Sequence, residues 1–536
     1  MACLPSTCPF CACGCGLLLQ EENGRLAASF PSAAPPARSS LCIRGWHCTS
    51  PVWAPDRLTT PLVRGSAGLV AATWQEAVAE VASRLAAARV APLVAVGPTV
   101  ASEDAAAAQR LGQAAGARTC ITDLSGAATA RWAMGAVAPG ARGLTDPEAI
   151  PGADLLWVIG FDAADAPQVE ARMVDARRRG ASIVRFDVHR VLAGGARVVT
   201  LAPGRFGELP LEASLIDEFQ AAARPVVVVG ARWLTLEGAG ENTVALLRML
   251  AGMGALERVV FAVGESNSWG VLDVLGPGAP SAETACRDEQ LDAVVVVADD
   301  LVCRSPRPDS MADALSRLAS LIVIDRFPTE TTALADVVLP SCTFAEADGC
   351  VTNLFGQVHR WRRIVSPPGA AVPERTWIER IVEALGARLG QPPAALPPSR
   401  PAARQAGAAA ARQRPAPPST AEFPLSLLLA SHPAAFSTGV LSSRDEVLRR
   451  EAAESAVRVS PGLLKAEGLK PGWPVRVVAP GGEATVTVRA DPGLPDGVVV
   501  LVPLPGTAAA RLRGWYPGEG APEVGVQPVP ARLERP

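Results

Sequence analysis

The chain alternates between short, nearly continuous apolar runs and longer stretches whose apolar positions recur at helical spacing. The runs fall at 92–97, 154–160, 182–187, 225–230, 259–264, 292–298, 321–325 and 335–339. Val, Ile and Leu without polar alternation predict strands covered on both faces. Helical spacing at 101–115, 167–179, 241–253 and 308–319 separates many of them. Thr73, with Glu76 three residues on, is the capping-box pattern that opens a further helix. Strands that alternate with helices predict an α/β fold with two doubly wound parallel-sheet domains.

The pattern differs towards both ends. Residues 1–60 are rich in cysteine and poor in long apolar runs, which predicts a cap of short strands and loops. Residues 61–388 hold the α/β region, read as two interleaved subdomains. Pro, Ala and Arg dominate 389–420, a linker composition. Beyond it, 475–478 and 484–489 alternate about Gly481 and Gly482 as in a hairpin, and 498–502 reads as another strand. Residues 421–536 are therefore predicted to be a C-terminal β-barrel domain.

Candidate chemistry sits in the cap. Cys8-Pro9-Phe10-Cys11 is followed by Cys15 and then by Cys42-Ile43-Arg44-Gly45. Four thiolates are the soft donor set for one 4Fe–4S cluster. Gly14 and Gly16 would let the loop bend tightly. Structural zinc is the rival reading, although it usually pairs two short C-x2-C units and the second pair is missing. Cys13, inside the motif, and Cys48, just beyond it, read as ordinary thiols. Cys3, Cys120, Cys286, Cys303, Cys342 and Cys350 show no metal spacing, so burial is their default.

Length and charge narrow the class. At 536 residues the chain exceeds one core, and a net charge of −3 gives no footprint for nucleic acid. No apolar stretch approaches a membrane span, so direct membrane insertion is not expected. No charged segment followed by an apolar run is visible near residue 1, and twelve cysteines that must remain thiols suit a cytoplasmic location. His47, His189, His359 and His432 do not pair at ligand spacing. Glu346 and Asp348 read either as an acid–base pair or as loop-ordering groups.

The order of cysteine motif, two-part α/β region and barrel resembles the molybdopterin-dependent oxidoreductases. Formate dehydrogenase catalytic subunits and the large iron–sulfur subunit of respiratory complex I are similar. The likeness rests on Cys8, Cys11, Cys15 and Cys42 with Arg44 and Gly45, on Ala335 to Pro340, and on Glu346 to Asn353 with Gly356, Gln357 and Arg360. It implies a 4Fe–4S cluster and a molybdenum or tungsten ion held by two molybdopterin guanine dinucleotides. It implies an iron–sulfur or flavin subunit as electron partner and a small-molecule substrate such as formate. Cofactor loops would then include Gly160, Asp162, Asp187, Gly204, Gly264, Asn267, Asn353 and Gly356. Arg44 would stand between cluster and pterin as an electron relay, or else be a loop arginine.

Several positions depart from the family pattern. Ser125 falls where active relatives place a cysteine or selenocysteine on the metal, so it is either an oxygen ligand or the start of a helix. Loops that read Gly-x-Asn-Pro in relatives are Gly160-Phe161-Asp162-Ala163 and Ala298-Asp299-Asp300-Leu301. The Pro-Gly-Thr-Asp motif is Pro203-Gly204-Arg205-Phe206. Two readings stay open: an oxidoreductase passing electrons from a pterin site to a partner, and a pterin-free electron-transfer or scaffold subunit.

Overall fold

The computed structural model describes residues 2–33, 40–123, 125–188, 196–201, 209, 211–235, 238–276, 282, 285–286, 291–305, 307–389, 421–452, 456–480, 482–502, 504, 507–512 and 529–535. Residues 390–420, Gly204 with its neighbours at 202–208, and His189 lie outside the described residues.

The cap is a three-stranded antiparallel sheet of β1 (Ala2–Thr7), β2 (Gly16–Glu22) and β3 (Arg25–Pro31). Next come β4 (Leu62–Gly65), β5 (Gly68–Ala71), β6 (Leu93–Val96) and β7 (Arg118–Ile121). The chain then builds β8 (Leu155–Ile159), β9 (Ser182–Asp187), β10 (Arg197–Thr200), β11 (Pro225–Gly230) and β12 (Val259–Ala262). It finishes the α/β region with β13 (Ala293–Val297), β14 (Ser320–Asp325) and β15 (Val337–Pro340).

These strands form two sheets. One has five parallel strands in the order β10-β9-β8-β11-β12. The other has seven, in the order β5-β4-β15-β14-β13-β6-β7. The second sheet is thus begun, left for the whole of the first, and then completed. Its strands β7, β6, β13, β14 and β15 are parallel, and β4 and β5 add an antiparallel edge. All eight apolar runs are strands, and β8, β11, β13 and β14 are buried at every residue. Burial on both faces is why they lack polar alternation. β7 and β10 were not foreseen. Both are edge strands, and Arg118, Thr119 and the exposed Arg197 deprive them of an apolar run.

The helix Trp74–Ala87 starts as its capping box predicts, with Thr73 N donating to Glu76 at 2.8 Å and Glu76 N donating to Thr73 Oγ1 at 3.2 Å. In the five-stranded sheet, Trp157 packs 4.4 Å from Phe219 and 5.6 Å from Phe186, ring centre to ring centre. A small hairpin, β16 (Gly349–Thr352) and β17 (Val358–Trp361), follows the seven-stranded sheet.

The last domain is a closed barrel in the order β18-β22-β19-β21-β20-β23. Its strands are β18 (Leu425–Leu429), β19 (Ala456–Val459), β20 (Pro474–Ala479), β21 (Gly482–Ala490), β22 (Val498–Leu501) and β23 (Val529–Glu534). Alternating burial along β20 and β21 sends Val475, Val477, Val486 and Val488 inward. One side of the barrel joins the main core through Leu428, Val498 and Val500. Among the described residues no helix is long and apolar enough to cross a membrane.

Candidate functional site

The cysteine loop is the turn between β1 and β2. Cys8 N donates to Cys15 O at 2.9 Å and closes it. Gly14 sits at φ +63°, and a Cβ there would stand 2.8 Å from the Asn353 Cβ, so only glycine suits both backbone and space. Gly16 instead begins β2 with ordinary extended backbone. Ala12 anchors the loop to both halves of the α/β region: its N–H donates to Gly264 O at 2.9 Å, and its carbonyl accepts from Leu354 N at 2.8 Å.

Cys42 comes from a different segment. Gln168 Nε2 donates to Ser40 O at 3.1 Å, and Ser29 Oγ donates to Gly45 O at 2.9 Å, which fixes the chain on both sides of Cys42. Cys8, Cys11, Cys15 and Cys42 thereby line one cavity, together with Phe10, Cys13, Leu41, Gly45, Pro167 and Gln168. All twelve cysteines are free thiols. Among the described residues no three His, Cys, Asp or Glu side chains are gathered as a single ion requires. The thiols stand round a space rather than a point.

Arg44 is completely buried beside them. Its Nη2 donates to Ala164 O at 2.8 Å, and its guanidinium carbon lies 4.4 Å above the Phe436 ring. Nε and Nη1 have no protein partner. A buried cation with two spare donors needs an anionic neighbour. Burial disfavours its charge, but Cys11, Cys42 and Cys8 more than offset that and raise its pKa. A hydrogen bond from Cys13, aided by Arg44, brings the Cys11 thiol down to about 6 against burial. Burial pushes the Cys8 and Cys15 thiols well up. Clustered cysteine sulfurs and unspent guanidinium donors fit a 4Fe–4S cluster, whose sulfurs accept such hydrogen bonds.

The loops at the carboxyl ends of the strands are arranged differently. Gly160 has φ +56° and packs so closely that a Cβ would lie 2.6 Å from Trp233 N. Asp162 caps its own loop through Ala164 N at 2.9 Å and lies 3.5 Å from Arg232 Nη2. Asp187 grips Arg232 Nη1 with both oxygens, at 2.5 and 2.7 Å. Gly264 abuts Ala12. Asn267 is fully buried, donating to Val100 O at 2.7 Å and accepting from Thr352 N at 2.7 Å. Asn353 accepts from Phe355 N and Gln357 N, and Gly356 completes that turn at φ +74°. Ser125 lies just before the helix Ala127–Val137, with its N–H on Asp123 Oδ1 at 2.7 Å and its hydroxyl accepting from Ala127 N. Glu346 holds Arg57 through two contacts of 2.8 and 2.7 Å, and Asp348 accepts from Arg363 N.

Three of the groups that matter most here were not foreseen from sequence. Arg304 binds Asp299 through Nε at 2.6 Å and Glu265 through Nη1 at 2.6 Å, and Thr122 donates to Asp299. These residues follow β13, β12 and β7, so the network ties the ends of the two sheets together. Arg232 joins the carboxyl ends of β8, β9 and β11 within the five-stranded sheet, through Asp162 and Asp187. Asp165 accepts from Ser431 of the barrel segment. Burial, with Asp162 nearby, raises its carboxyl to about 7. Arginines directly after apolar runs were the available signal, but their partners are far away in sequence.

Comparison with known proteins follows the same division. Residues 1–52 match the Molybdopterin oxidoreductase Fe4S4 domain, and 57–383 match the family described as Molybdopterin oxidoreductase. The F420-dependent formate dehydrogenase 2 subunit alpha of Methanococcus maripaludis is 25% identical over 483 residues, covering 71% of this chain and 70% of that protein. One subunit of the NADH-quinone oxidoreductase of Streptomyces coelicolor is 25% identical over 599 residues, covering 96% and 69%. The solved structure of acetylene hydratase from Pelobacter acetylenicus shares the fold at a TM-score of 0.75 and 14% identity, over 99% of this chain and 100% of that one. The matched domains support a 4Fe–4S cluster and a molybdenum or tungsten molybdopterin cofactor. The cysteine cavity fits the first. At the second, Asp162, Asp187 and Asn267 already have protein partners, so these described side chains do not form an open pterin cradle. A dinucleotide would have to draw on other residues. With cap, interleaved sheets and barrel all in place, and more than half of its length matched, the chain belongs to the molybdopterin oxidoreductase family.

Proposed function

We propose that this chain is the iron–sulfur redox subunit of an oxidoreductase related to formate dehydrogenases. Cys8, Cys11, Cys15 and Cys42 hold one 4Fe–4S cluster, and a partner subunit exchanges electrons with it. The supporting observation is the shared cavity of these thiols beside the unspent donors of Arg44. When bound, such a cluster moves single electrons, and a pterin-held metal supplies two-electron chemistry on a small substrate such as formate. Arg44 stabilises the extra negative charge of a reduced cluster by its own charge and by N–H donation. The walls of Phe10, Leu41 and Pro167 keep water away and strengthen that interaction.

A second reading is favoured by the ion pairs of Arg232 and Arg304, which engage the acids at the strand ends. In it the chain carries the cluster without pterin, as an electron-transfer or scaffold subunit. Protein prepared without oxygen should contain roughly four irons and four sulfides per chain. Molybdenum or tungsten with pterin in the same sample supports the first reading, and a full cluster without either supports the second. Zinc without iron defeats both.

A further inference from the structure

Five thiols, not four, face the cavity, because Cys13 joins Cys8, Cys11, Cys15 and Cys42 in its wall. A cubane binds four. The fifth is 1% exposed and is held between Cys11, to which it hydrogen-bonds, and the backbone of Gln168, itself part of the wall. Ala12, between Cys11 and Cys13, is clamped through both its N–H and its carbonyl, so the backbone carrying the two cysteines is fixed relative to the cavity. Rotating a cysteine about χ1 moves its sulfur between staggered wells without disturbing that backbone. Cys48 provides the contrast. It is fully buried and hydrogen-bonded to Ser29, but it does not line the cavity.

We propose that Cys13 is a reserve ligand for the iron that Cys11 holds. This rests on the cavity being the cluster site. When the Cys11 thiolate is missing, Cys13 releases its proton to solvent and its sulfur forms the iron–sulfur bond that Cys11 would have made. No electron is transferred in that exchange.

Iron, sulfide and electron paramagnetic resonance spectra should be measured on anaerobically prepared wild type, Cys11→Ala, Cys13→Ala, Cys11→Ala/Cys13→Ala and Cys11→Ala/Cys48→Ala. Cys11→Ala and Cys11→Ala/Cys48→Ala should keep roughly four irons per chain, the complement of a whole cubane, with altered spectra. Cys11→Ala/Cys13→Ala should lose most of its iron. Equal loss in Cys11→Ala and Cys11→Ala/Cys13→Ala overturns the proposal. If circular dichroism shows that Cys11→Ala does not fold, Cys11→Gly and Cys11→Gly/Cys13→Ala decide: the single variant should keep its iron and the double variant should lose most of it, and equal loss in the two overturns the proposal. Wild type without iron defeats the cluster reading itself, and this proposal with it.

Discussion

Cys8, Cys11 and Arg44 are as deeply buried as Asp187, Glu265 and Arg304, yet the two groups are satisfied in opposite ways. At the cysteine cavity, thiols face a space and Arg44 keeps two donors without protein partners. At the strand ends, Arg232 and Arg304 are matched by carboxylates at hydrogen-bonding distance. Burial penalises an unmatched polar group, so the cavity keeps unmet bonding capacity where the crevice has little. The difference separates a place shaped for an added group from a place that holds itself together. Both lie where the cap and the two sheets meet.

The strongest test of this contrast is removal of a cavity thiol. Cys8→Ala should lose most of the roughly four irons expected of a cubane, because Cys13 contacts Cys11 rather than Cys8. Iron analysis after anaerobic preparation checks it, and unchanged iron would remove Cys8 from the ligand set.

At the crevice the same kind of truncation should act on folding. Arg304→Ala leaves Glu265 and Asp299 buried without their cation, which should cost about 3–5 kcal/mol. Urea denaturation would show this, with iron per folded chain unchanged. A cost within about 0.5 kcal/mol, the range of an ordinary surface substitution, would mean that the network contributes nothing.

Asp165 lies between the two regions and should act through pH. Its carboxyl sits at about 7 in the folded protein, above the ordinary 3.8. Below about 3.8 both folded and unfolded chains hold the proton, and this contribution to stability is fully present. As pH rises towards 7 the unfolded chain releases the proton first, so stability falls by at most about 1.4 kcal/mol per unit. Above 7 the loss is complete. Asp165→Asn should therefore gain on wild type from pH 5 to pH 8 in denaturation midpoints, and parallel pH profiles would reject the assignment.

The smallest expected effect belongs to Arg44. Arg44→Met should retain iron but lower the reduction potential by on the order of 60 mV, one tenfold step for a single electron. Arg44→Lys should fall in between, since it keeps the charge but not the planar donors. Potentiometric titration checks both, and a potential unmoved by Arg44→Met would place the arginine outside the cluster's field.

Much of this architecture was legible before the fold was seen. The Val-rich runs became the interior strands because burial on both faces leaves no polar positions to confuse the pattern. Thr73 and Glu76 marked a helix start because a capping box needs only local geometry. β7 escaped because Arg118 and Thr119 lie at a sheet edge, where one side is open to polar groups. At the site, the spacing of Cys8, Cys11 and Cys15 was readable because one tight turn carries all three. Gly264 is expected at a cofactor, and the fold gives its carbonyl a further part: it receives Ala12 N–H and anchors the cysteine loop. That role depends on a backbone group with no sequence signature.

The sequence by itself determined the local facts: which runs become strands, where the helix after Thr73 begins, and which thiols share a turn. Each depends on residues a few positions apart, so propensity, periodicity and donor chemistry suffice. The tertiary structure alone decided that Cys13 faces the same cavity as the other thiols and that Arg44 is buried with donors to spare. It alone paired Arg232 with Asp187 and Arg304 with Glu265. Those outcomes depend on how two interleaved sheets bring their strand ends together, and on the cost of leaving a buried charge unmatched once they meet.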